Sequence, residues 1–136
     1  MKTVDKIKNK QMNLLINQES KESETLDEFE SSSNYNVIRI NGSDIGDDYE
    51  SLKTLLMEFE NENSIFDLLD NSKKEKVVLV DNVDHLGESQ KFIRSMMNSI
   101  SIGRDGEEFQ KVSKFVMTYK EFDNVERGLV SRCVNF

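Results

Sequence analysis

Val77-Val78-Leu79-Val80 is a run of four apolar, mostly β-branched residues with no polar residue between them. A strand with one wet face alternates apolar and polar side chains. A strand that does not alternate is covered on both faces, as in parallel sheets flanked by helices. The run therefore predicts an α/β fold. It ends on Asp81, and Asp84 follows three residues later. In open α/β sheets, ligands bind at the carboxyl ends of the strands. Asp81 and Asp84 are thus the first candidates for a functional site.

The remaining pattern extends the fold. Val4, Ile7, Met12, Leu15 and Ile16 are spaced as a loose helix over Val4–Ile16. Ser20 to Asn34 is acidic and serine-rich, with Leu26 and Phe29 as its apolar anchors, and reads as a solvated insert or linker. Asn36–Ile40 reads as a strand, and Asn41-Gly42-Ser43-Asp44 as turn chemistry. Leu52, Leu55, Leu56 and Phe59 mark a helix over Tyr49–Phe59, continued or restarted over Ser64–Leu69. After the strand Val77–Asp81 comes a helix over Ser89–Ile100, with Phe92, Ile93, Met96, Met97 and Ile100 on one face. A polar loop over Gly103–Gln110, a strand over Lys114–Thr118, a loop or short helix over Glu121–Leu129, and a strand within Val130–Phe136 complete the order. Strands alternating with helices are the order of a doubly wound sheet.

The 136 residues suffice for one domain. The net charge of −8, from 26 acidic and 18 basic residues, excludes nucleic-acid binding by bulk electrostatics. No apolar run approaches the roughly 20 residues that span a bilayer, so no membrane role is expected. The lone Cys133 excludes an internal disulfide and points to a cytoplasmic protein. Cys133 reads as a buried strand residue and His85 as a loop residue without further metal ligands.

Asn41–Asp44, the run Val77–Asp84, the helix Gln90-Lys91-Phe92-Ile93-Arg94-Ser95-Met96-Met97-Asn98, the strand Lys114–Thr118 and Ser131-Arg132-Cys133 follow one another at characteristic spacing. In this order the chain resembles the AAA+ replication clamp loaders. These are the replication factor C small subunits and, most closely, the small clamp-loader subunit of T-even-type phages. The resemblance covers roughly residues 36–136. It implies a sheet in the spatial order 5-1-4-3-2 and cofactors ATP and Mg2+, weakly held or shared with a neighbouring subunit. It implies a magnesium site at Asp81 and Asp84, a sensor position at Lys120, and Arg132 as an arginine finger in trans. A guanidinium offers a planar fork for phosphate oxygens and stabilises charge on the transferring phosphoryl group.

Departures from that pattern weigh against hydrolysis. Asn82 stands where the family has its Walker B glutamate, and an amide cannot polarise water as a carboxylate does. Lys120 replaces the sensor asparagine, and Asn98 a frequent glutamate. No G-x-x-x-x-G-K-S/T loop occurs. Lys2 and Thr3 resemble the last letters of one, with Met1 in place of its glycine. On that reading the chain is an incomplete AAA+ core lacking the first strand and most of the P-loop. Residues 1–35 form an N-terminal helix and acidic insert, residues 36–136 the core fragment, and the lid and collar domains are absent.

The expected function is that of a non-hydrolysing or split clamp-loader subunit in phage DNA replication. Its partners would be other clamp-loader subunits or a complementary N-terminal fragment, the sliding clamp and, through the assembly, primer–template DNA. If viral, it would act in the infected host cell. The alternative is an inactive AAA+-derived interaction module binding a replication partner. A receiver-like domain phosphorylated on Asp81 is a weaker third reading, because Asn41–Asp44 does not supply the acidic pair it needs.

Overall fold

The computed structural model describes residues 12–61, 74–98, 106 and 112–136, together with strand residues 101–102 and 108–109. Five strands form one parallel sheet: β1 Asn13–Asn17, β2 Tyr35–Asn41, β3 Glu75–Asp81, β6 Lys114–Tyr119 and β7 Cys133–Asn135. Their spatial order is β2-β3-β6-β1-β7. With the small hairpin of β4 (Ser101–Ile102) and β5 (Glu108–Phe109) set aside, this is the order 5-1-4-3-2. The fold is the expected α/β class, a parallel sheet with helices on its faces.

The expectation of a missing first strand is wrong. β1 is that strand, lying between β6 and β7 in register Leu14↔Val116 and Leu14↔Val134. It overlaps the end of the helix expected over Val4–Ile16, of which residues 4–11 lie outside the described residues. The physical reason is local. Leu14-Leu15-Ile16 is a short continuous apolar run between two asparagines, and all three side chains are wholly buried. A helix would expose one of the three; a central strand buries both faces.

The two faces of the sheet can be read from β3. Val78 and Val80 face a large core with Leu52, Leu56 and Phe59 of helix α3 (Tyr49–Asn61) and Ile93, Met96 and Met97 of helix α4 (Gln90–Met97). Val77 and Leu79 face a smaller core with Leu14, Ile16 and Val116 and with Leu26 and Phe29 of helix α1 (Thr25–Ser31). The acidic stretch expected to be a solvated linker is therefore structural. Leu26 and Phe29, three residues apart, lie on one face of α1 and are wholly buried, each contributing about 1.5–3 kcal/mol by burial. Within the expected polar loop Gly103–Gln110, Glu108–Phe109 pairs antiparallel with Ser101–Ile102. The helix expected over Ser64–Leu69 lies outside the described residues.

Short elements close the chain around this frame. Asn41 caps helix α2 (Gly42–Ile45), its side-chain oxygen accepting from the Ser43 amide at 2.9 Å. Lys76 donates from Nζ to the carbonyls of Phe59 and Glu60, 2.8 Å each, at the carboxyl end of α3. Helix α5 (Arg127–Ser131) leads into β7. Among the described residues, no helix is long and apolar enough to cross a membrane.

Candidate functional site at the carboxyl edge of the sheet

β1, β2, β3 and β6 end side by side at Asn17, Asn41, Asp81 and Tyr119. In a P-loop protein the phosphate loop joins the first strand to the first helix. Here that connection is Gln18 to Glu24, with α1 starting at Thr25. Lys2 and Thr3 precede β1 and lie outside the described residues, so chain order corrects their assignment to the loop. Counted from Gln18, the eight residues Gln18–Thr25 have the length of G-x-x-x-x-G-K-S/T. Gln18 and Ser23 stand at the glycines, Glu24 at the lysine and Thr25 at the hydroxyl residue.

A phosphate cradle needs free backbone amides pointing into it. Five of this loop's amides are already engaged by the chain itself. Gln18 donates to the Tyr119 carbonyl at 2.9 Å, and Glu19 to Asn17 Oδ1 at 2.9 Å. Ser20 donates to the Asn17 carbonyl at 2.9 Å, Glu22 to Ser20 Oγ at 3.2 Å, and Ser23 to the Ser20 carbonyl at 3.0 Å. Glu24 places a carboxylate where phosphate would need a cation.

The other candidate positions are likewise engaged. Asp81 receives a bidentate fork from Arg39 of β2, with Nε to Oδ2 at 2.7 Å and Nη2 to Oδ1 at 3.1 Å. Asn82 occupies the left-handed region at φ 55°, ψ 52°. Its amide side chain accepts from Gln18 and donates to Asn41 Oδ1 at 3.0 Å, while its backbone amide donates to Thr118 Oγ1 at 3.2 Å. Asp84 turns inward: Oδ2 accepts from the Glu121 amide at 3.0 Å, and Oδ1 has no hydrogen-bond partner among the described residues. His85 stands 4.0 Å from Asp84 with its ring half exposed. Asp81 and Asp84 are thus held by different partners, and no group of three or more potential metal ligands occurs among the described residues. Lys120 is exposed just beyond β6, at the expected edge.

ATP with Mg2+ does not fit this edge. Most of the loop amides are already engaged, the loop lysine is a glutamate, and Asp81 already holds a cation. Three residues central to this arrangement escaped the sequence reading: Gln18, Glu24 and Arg39. Only Arg39 carries a signal in the sequence, a charge inside the otherwise apolar run Val37-Ile38-Arg39-Ile40; Gln18 and Glu24 carry none.

Arg132 lies elsewhere. It caps the carboxyl end of α5 and precedes β7, whose first residue Cys133 pairs with Asn13 at the start of β1. The five residues of β1 separate that end from Gln18 by about 16 Å. Arg132 is exposed; its Nη1 donates to the Gly128 carbonyl at 2.9 Å and its Nε to Asn98 Oδ1 at 3.2 Å. Gln90 ties the start of α4 to the turn before α5, accepting from the Glu126 amide at 2.8 Å and donating to the Asn124 carbonyl at 2.9 Å. Arg94 pairs with Glu126 beside it. Cys133 is largely buried, which pushes its thiol up to about 12.

The model of the AAA family, the ATPase family associated with various cellular activities, matches residues 8–136. Among curated proteins, none matches the chain. The match begins before β1 and runs through β7, spanning the whole sheet whose strand order is 5-1-4-3-2. The chain belongs to the AAA family of ATPases.

Proposed function

We propose that this chain is a non-hydrolysing, clamp-loader-like subunit of an AAA+ assembly in phage DNA replication, acting through Arg132 on ATP held by a neighbouring subunit. The observation that carries this reading is the opposition of the two ends of the sheet. Arg132 is exposed at the amino-terminal ends of the strands, while the carboxyl edge is filled by the chain's own side chains. A guanidinium in that place cannot serve its own subunit's edge but is free to meet another's. Sliding clamp and primer–template DNA would be met through the assembly, consistent with a net charge of −8.

The test is to co-express the chain with the clamp-loader ATPase subunits of the same genome and measure phosphate release by the mixed assembly. Arg132→Ala should lower the rate at least about tenfold, and Arg132→Lys should not restore it, because lysine lacks the planar fork. One observation favours a second reading, the pure interaction module: Arg132 already bonds Gly128 and Asn98 of its own chain. On that reading both variants assemble and leave phosphate release unchanged.

A further inference from the structure

Arg39 is a charge on the edge strand β2, between Ile38 and the buried Ile40, and four acceptor oxygens converge on it. Beyond the fork to Asp81, its Nη1 donates to Asp27 Oδ1 at 2.6 Å and to Glu30 Oε2 at 3.2 Å. Asp27 and Glu30 lie on α1, the helix that follows the vestigial loop; Asp81 ends β3. One guanidinium thus joins the first helix to the aspartate at the tip of β3. In an ATP-loaded AAA+ subunit, that junction is made by the metal and the phosphates.

We propose that Arg39 is a built-in cation that takes the place of the metal ion, fixing α1 against β3 in a state that does not depend on nucleotide. The proposal does not depend on the role of Arg132. Several observations support it together. The Asp81 contact is bidentate, the geometry that gives arginine–carboxylate pairs both strength and direction. Asp81 and Arg39 side chains are only 25% and 29% exposed, so this pair is shielded more than an ordinary surface pair, whereas Asp27 and Glu30 are open to water at 72% and 53%. The guanidinium is a permanent cation, and the Asp81 hydrogen bond is the leading cause that raises its pKa further. Gln18, Asn82 and Asn41 bridge the tips of β1, β3 and β2 beside it, so the edge is stitched without any ligand.

The experiment is hydrogen exchange of the full chain, read at Thr25–Ser31, with Mn2+ uptake followed by electron paramagnetic resonance and nucleotide binding followed with a fluorescent ATP analogue. The wild type should take up neither probe, and added Mg2+ and ATP should leave its α1 exchange unchanged. Arg39→Met should speed α1 exchange about tenfold, Asp81→Asn should do nearly the same, and the double variant should be no faster than either single one, as expected for one shared interaction. Wild-type Mn2+ or nucleotide binding that Asp81→Asn abolishes would overturn the proposal. So would unchanged α1 protection in Arg39→Met, or effects of the two substitutions that simply add. If Arg39→Met does not fold, Arg39→Lys is decisive. It keeps the charge but loses the fork, so α1 should exchange more slowly in it than in Asp81→Asn, and α1 exchange as fast as in Asp81→Asn refutes the idea.

Discussion

Gly42 and Asn82 touch through backbone alone: a Cβ built on Gly42 would lie 2.1 Å from the Asn82 carbonyl oxygen and 3.3 Å from that of Asp81. The turn after β2 and the turn after β3 can pack this closely only because position 42 has no side chain. Gly42→Ala should therefore lower stability by about 3 kcal/mol, the upper range for overpacking against atoms that cannot rotate away. A urea midpoint equal to that of the wild type would show that the backbone yields instead.

Restoring the missing Walker B letter should not restore chemistry. Asn82→Glu loses the contacts to Gln18 and Asn41 and puts a less tolerant residue at φ 55°. The left-handed conformation alone costs about 1 kcal/mol for such a residue. The variant should be less stable than the wild type and release no phosphate above background, because the cradle and its lysine are still absent. Phosphate release that rises with ATP concentration would contradict this.

Leu26 and Phe29 should behave as core residues despite their acidic surroundings. Leu26→Ala and Phe29→Ala are each expected to cost about 3–4 kcal/mol, since both side chains are wholly buried against the sheet. Chemical denaturation measures this directly; losses under about 1 kcal/mol would return the segment to the status of a linker.

Burial raises the Cys133 thiol from an ordinary 9.0 to about 12 in the folded chain. The folded state then holds a proton that the unfolded state releases. This contribution to stability is complete below pH 9 and is lost as pH rises toward 12. Tyr35 shifts in the same direction, through burial first and the nearby Glu75 second, so comparison with Cys133→Ala isolates the thiol. At pH 8 iodoacetamide should alkylate the native chain slowly and the urea-unfolded chain rapidly. Equal rates would mean the thiol is open to solvent.

The strands that announced themselves were those with several apolar residues in a row. Val77–Val80 and Phe115–Met117 read as buried strands, and they are. β1 did not, because Val4, Ile7 and Met12 extend its apolar residues into a helix-like spacing. The strand signal is only the three-residue core between Asn13 and Asn17. Helix α1 was hidden by composition, since two apolar side chains suffice to dock two turns against a sheet. At the site, Asp81 and Asn82 were placed correctly at a strand end. Their partners were not legible, since Arg39 and Gln18 lie 42 and 64 residues away and meet them only through strand pairing. A phosphate loop without glycines carries no local mark at all; only its position between β1 and α1 reveals it.

The place of β1 inside the sheet, between β6 and β7, also governs how the molecule assembles. Its neighbours β6 and β7 both follow it at long range: Asn13 accepts from the Phe115 amide across 102 residues, and the Phe136 amide reaches back to the Leu15 carbonyl at 2.9 Å. A ribosome delivers β1 early and its partners late. The β2–β3 pair can form while β1 still waits with its apolar side chains uncovered. Closing such distant pairs costs chain entropy before any contact rewards it, so topology makes this a slow folder. The half of the sheet around β1 is the last part to become solid.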